Sequence, residues 1–132
     1  MTMKNMSLLS GATVSATGGT AQVFADNGVT IPNGVQLVVP ADTSFATRRS
    51  ATARVRQPTL GRDGVYGKDK KSISYNFPKT LASGKIVNNV IRVEREVHPE
   101  VTAAEANELN LIAAQLLTDA DTSNFWAIGS CA

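Results

Sequence analysis

Three successive segments of this chain alternate polar and apolar residues with a period of two. In 49–57, Thr52, Arg54 and Arg56 interleave with Ala51, Ala53 and Val55. In 70–78, Lys70, Ser72, Ser74 and Asn76 interleave with Lys71, Ile73, Tyr75 and Phe77. In 86–97, Arg92, Glu94 and Glu96 oppose Ile91, Val93, Arg95 and Val97. Successive side chains of a strand point to opposite faces, so the pattern predicts an antiparallel sheet with one apolar and one polar face.

The charge follows the same strands. Residues 47–92 hold eleven of the thirteen Lys and Arg against only Asp63 and Asp69, a net of +9. Residues 1–46 come to −1 and residues 93–132 to −6, so the formal total of +2 conceals a strong asymmetry. A solvated outer face is the plain explanation for polar strand residues. Concentrating the basic charge in the alternating strands favours instead a face built for a polyanion, above all nucleic acid.

Turn chemistry and helical periodicity place the remaining elements. Gly18-Gly19 separates two strand-like runs, 7–16 and 21–24, and predicts an N-terminal hairpin. Asp26-Asn27-Gly28 and Pro32-Asn33-Gly34 are turns, and 35–39 is a short strand. Pro58 ends the 49–57 strand, 59–68 is a glycine-containing basic connection, and 79–85 is a loop. From Thr102 the period changes. Thr102-Ala103-Ala104-Glu105 fits a capping box, in which the hydroxyl and the carboxylate satisfy free N–H groups. Ala106, Leu109, Ile112, Ala113, Leu116 and Leu117 then recur at helical spacing, with Glu105, Glu108, Gln115 and Asp119 on the wetter side. This helix ends near Thr118. A short second helix reaches Ile128, anchored by Phe125 and Trp126 and stopped by Gly129. The reading is one α+β domain over 1–132: hairpin about 7–25, antiparallel meander about 34–98, helices about 102–129.

Composition narrows the function. Aromatics are 5% of residues, few large anchors for a free-standing monomer, and an oligomer offsets that shortage. No apolar run has the length of a membrane span, and MTMKNMSLL has no h-region of a signal peptide. The single Cys131 allows no internal disulfide, and the lone His98 builds neither a metal cluster nor a triad. No metal or cofactor is expected. No catalytic constellation stands out. Glu94 and Glu96 share a strand face, but Arg92 and Arg95 beside them predict cross-strand ion pairs rather than paired acids for hydrolysis.

The order of elements resembles the coat proteins of the small single-stranded RNA bacteriophages, the leviviruses. The resemblance rests on the Gly-Gly hairpin of 12–24, on Ala53-Arg54-Val55-Arg56-Gln57-Pro58 and on Tyr75-Asn76-Phe77-Pro78. A long strand from Asn89 then runs into Thr102-Ala103-Ala104-Glu105 and on to Ala113-Ala114-Gln115-Leu116-Leu117. It implies an intertwined homodimer in which two half-sheets form one continuous sheet and each C-terminal helix crosses the partner's sheet on the outside. It further implies a non-enzymatic capsid subunit that assembles into an icosahedral shell in the bacterial host cytoplasm, resides in the virion and packages single-stranded RNA. Binding an RNA hairpin to repress translation belongs to the same resemblance. Matched by strand position, the RNA-facing residues are Thr52, Arg54, Arg56, Lys70, Ser72, Ser74, Arg92 and Glu94. Val90 stands where the family often stacks an aromatic on a loop base, and Arg54 replaces a smaller polar residue. The loop 79–85 corresponds to the one around the shell's symmetry axes. The alternative is a stand-alone nucleic-acid-binding regulatory module using the same basic face.

Overall fold

The computed structural model describes residues 3–12, 14 and 16–131. In chain order these form β1 (Ala25–Asp26), β2 (Gly34–Val38), β3 (Ser50–Arg56), β4 (Asp69–Thr80), β5 (Ile86–Val97), α1 (Ala103–Thr118) and α2 (Ser123–Ile128). They belong to two compact units. One comprises residues 19–99; the other combines the described residues below 19 with those above 99.

The 19–99 unit is a five-stranded antiparallel sheet in simple sequential order, β1 to β5. Strands β2 to β5 match the four expected after residue 34, and β5 has the expected bounds. β4 runs further than expected, through Pro78 to Thr80, so the loop shortens to residues 81–85. It is closed by Leu81 N–H donating to the Lys85 carbonyl at 2.8 Å and Gly84 N–H donating to the Leu81 carbonyl at 2.9 Å. The proline is tolerated because β3 pairs with β4 only as far as Ser50 opposite Asn76. Beyond that point β4 has β5 on one side alone, with Asn88 opposite Pro78. Pro78 therefore sits on a local edge, where a missing N–H breaks no ladder.

Local chemistry sets the turns. The Asp26 carboxylate accepts from Gly28 N–H and the Asn27 side-chain oxygen accepts from Val29 N–H, both at 2.9 Å. These are Asx turns, in which a side chain replaces the next backbone acceptor. Gly34 is required by space. A Cβ there would lie 2.2 Å from the Ala53 carbonyl oxygen on the neighbouring strand.

The N-terminal hairpin is not found. Gly18 and Gly19 have the positive φ values its turn requires, 76° and 74°. Among the described residues, however, none between 7 and 24 is in a strand, while Thr13 and Ser15 of the expected first arm lie outside the described residues. Residues 7–11 instead bind the helical unit through polar side chains. Gln115 clasps Leu9 from both sides: its Oε1 accepts the Leu9 N–H at 2.7 Å and its Nε2 donates to the Leu9 carbonyl at 2.8 Å. Glu108 accepts the Ser10 hydroxyl and the Gly11 N–H, each at 2.9 Å. Side chains that look wet by helical period thus replace the ladder partner that the hairpin would have provided.

α1 starts and stops as expected. Thr102 Oγ1 accepts the Glu105 N–H at 3.2 Å, half of the capping box. The other half differs: the Glu105 carboxylate takes the Thr102 hydroxyl proton at 3.0 Å rather than a backbone N–H. Thr122, only 1% exposed, donates its hydroxyl to the Leu116 carbonyl at 2.9 Å, and Trp126 Nε1–H donates to the same oxygen at 2.9 Å. These two bonds hold α2 against the end of α1. Phe125 and Trp126 meet edge-to-face with centroids 5.1 Å apart. Gly129 closes α2 in the left-handed conformation.

The single chain has little interior. Val39 and Val97 are its buried large aliphatic side chains among the described residues, whereas Ile73, Ile91 and Val93 on the apolar face of the sheet are exposed, Ile73 by 58%. No residue of α1 is fully buried.

Candidate nucleic-acid interface

Directly opposed residues of an antiparallel pair project to the same face, as do residues two apart along a strand. The register therefore assigns the polar face without reference to burial. Thr52 opposes Ser74, which opposes Arg92. Arg54 opposes Ser72, which opposes Glu94. Arg56 opposes Lys70, which opposes Glu96. All eight residues chosen by strand position thus lie in three adjacent rows on one face. β2 extends two of the rows, with Gln36 opposite Thr52 and Gly34 opposite Arg54. A fourth row adds Val38, Ser50, Asn76 and Val90.

The electrostatics differ from expectation in one respect. The carboxylates of Glu94 and Glu96 pair with Lys70, contacting Glu94 closely and Glu96 at 3.6 Å, and not with Arg92. Arg95 lies on the other face, opposite Lys71. The register explains the exchange. Lys70 is directly across from Glu96 and one step diagonal to Glu94, while Arg92 is on the same strand as both acids. Among the described residues, Arg54, Arg56 and Arg92 have no carboxylate within ion-pair distance. The three rows hold four cations and two carboxylates, a net of +2 carried by guanidinium groups. Arg54, Arg56 and Arg92 are exposed, and Thr52, Ser72 and Ser74 are half-buried between them. Guanidinium groups flanking hydroxyls suit phosphate oxygens and base edges respectively.

Two shallow hollows open at the basic end of this face, and both are lined by Arg56 and Lys70. One, of 270 Å³, adds Gln57, Thr59, Lys68 and Glu96; the other, of 260 Å³, adds Pro32, Asn33, Arg54 and Ser72. Among the described residues no group of three His, Cys, Asp or Glu side chains has the arrangement of a metal site. Nor is any helix long and apolar enough to cross a membrane.

Gln36 was not identifiable as a member of this face from sequence. The run Val35-Gln36-Leu37-Val38-Val39 has no clear alternation, and only its pairing with β3 shows which side Gln36 takes.

No protein-family model and no curated protein matches this chain. Solved structures do. A virus-like particle of bacteriophage GQ-907 has a subunit 41% identical to this chain, covering 99% of it and 100% of that subunit, with a TM-score of 0.91. A virus-like particle of Wenzhou levi-like virus 4 is 22% identical over 89% of this chain and 84% of its own, with a TM-score of 0.70. One of bacteriophage AVE019 shares the fold at 13% identity, covering 96% of this chain and 99% of that one, with a TM-score of 0.68. The whole-chain identity to the GQ-907 subunit, on the fold described above, is decisive: this chain belongs to the coat-protein family of the levi-like bacteriophages.

Proposed function

We propose that this chain is a capsid subunit that dimerises, assembles into an icosahedral shell in the bacterial cytoplasm and packages single-stranded RNA against the polar face of its sheet. The observation that carries this is the register. It aligns Thr52, Arg54, Arg56, Lys70, Ser72, Ser74, Arg92 and Glu94 on one side, with three unpaired guanidinium groups among them. The opposite side supports the homodimer. β5 is an edge strand twelve residues long, and Ile91 and Val93 on it are exposed. Unpaired backbone groups beside open apolar surface favour a second copy of the same strand, continuing the sheet across the dimer. Binding an RNA hairpin, with translational repression as its consequence, uses the same face: hydroxyls read an unpaired base and Arg holds phosphates.

Expression of the chain alone tests this reading. Electron microscopy and gel filtration should show large closed particles containing RNA. A small dimer under all conditions would favour the stand-alone regulatory module instead. In particles carrying both Arg54→Glu and Arg56→Glu, the ratio of absorbance at 260 to 280 nm should fall. An unchanged ratio would remove this face from RNA packaging.

A further inference from the structure

Beside the three rows, on the same face, lies a groove of 540 Å³ that strand alternation does not single out. Its floor includes Gln36, Asn76 and Asn88, and Asn27 lines it from the turn after β1. Its wall is the 41–49 loop, which contributes Phe45 and Arg48. Phe45 is 88% exposed, the most exposed large apolar side chain of the described residues. One side of its ring is covered by the Arg48 guanidinium, whose Cζ is 4.8 Å from the ring centroid. Arg48 is itself anchored, its Nε–H donating to the Asp42 carbonyl at 2.9 Å. Asp42 is in turn held by Arg49 through side-chain contacts of 2.8 and 3.0 Å. The ring is thus mounted on a braced loop, with a cation behind it and four carboxamides nearby. The Asn76 carboxamide oxygen is buried and has no hydrogen-bond partner among the described residues.

An exposed aromatic ring beside amide groups and an Arg is the chemistry that receives an unpaired base. The ring stacks on the base, the amides pair with its edge, and the guanidinium holds the adjoining phosphate. We propose that this groove is a nucleobase site, in which a base of single-stranded RNA stacks on Phe45 while Asn76 and Asn88 face its edge. The inference rests on the RNA reading above and deepens it. The three rows supply charge, and the groove engages bases.

Photo-crosslinking of RNA-containing particles purified from expressing cells tests it. In the wild-type protein, peptides containing Phe45, Asn76 and Asn88 should carry nucleotide adducts. Phe45→Ala should lower the adduct yield at Asn76 and Asn88 roughly 5- to 150-fold, the range expected for losing one base–aromatic stack. Total RNA per particle should stay constant, because the basic rows are untouched. Phe45→Trp should retain the adducts. Because Phe45 is so exposed, its truncation leaves the fold intact. Adducts confined to the β3 and β5 rows, or groove adducts indifferent to Phe45→Ala, would overturn the nucleobase site while leaving the packaging face standing. Particles free of RNA would overturn both.

Discussion

The Arg49 guanidinium holds the Asp42 carboxylate through two parallel contacts, Nε to Oδ2 at 2.8 Å and Nη2 to Oδ1 at 3.0 Å. The Arg49 backbone N–H adds a third, at 3.0 Å to Oδ2. These hydrogen bonds, the side-chain ones foremost, lower the Asp42 pKa from 3.8 to about 2. Since the folded value lies below the unfolded one, the pair stabilises the fold fully above about pH 4, and that stabilisation disappears as the pH falls towards about 2. Thermal melting followed against pH should therefore show an acid loss in the wild-type protein. Asp42→Asn should begin from a lower melting temperature at neutral pH and show a shallower acid slope. Equal slopes would mean that the pair does not brace the 41–49 loop.

Glu94 is expected to oppose RNA rather than contact it, because it occupies Lys70. Glu94→Gln should release the lysine, raise RNA affinity and steepen its salt dependence by about 0.7 per additional phosphate engaged. The pair is well exposed, so the stability change should stay within about 1 kcal/mol. Weaker binding by the variant, measured by titration with single-stranded RNA across a salt series, would restore Glu94 as a direct contact.

Gly34 has no room for a side chain. The 2.2 Å separation between a Cβ at this position and the Ala53 carbonyl oxygen would force β2 away from β3. Gly34→Ala should destabilise the protein by about 1–3 kcal/mol, as small-to-large changes in packed positions do. Chemical denaturation would detect this as a lower midpoint at unchanged slope.

Two donors share the Leu116 carbonyl, the Thr122 hydroxyl and the Trp126 indole N–H, both at 2.9 Å. Trp126→Phe removes one donor while Thr122 still satisfies the oxygen, so the cost should be about 0.5–1.5 kcal/mol. Losing both donors, in Trp126→Phe with Thr122→Val, should cost more than the sum of the single changes, because the carbonyl is then left unpartnered. A double-mutant cycle on melting temperatures measures the difference, and strict additivity would show that the two bonds are independent.

Local rules written into the sequence determined the strands β2 to β5, the helix bounds and the identity of the polar face. Period-two alternation is a property of the chain itself, and so is a Thr102 cap or a Gly129 stop. What only the tertiary structure decided were the relationships between segments. Lys70 rather than Arg92 meets the acids because the β4–β5 register places it across from Glu96. Residues 7–11 bind Gln115 and Glu108 instead of forming a hairpin arm, since a carboxamide and a carboxylate more than ninety residues away satisfy their backbone and hydroxyl groups. Phe45 gains a setting only when its irregular loop folds beside Asn76 and Asn88. Periodicity states which way a side chain points. Which side chain it meets depends on long-range pairing, and no local pattern encodes that.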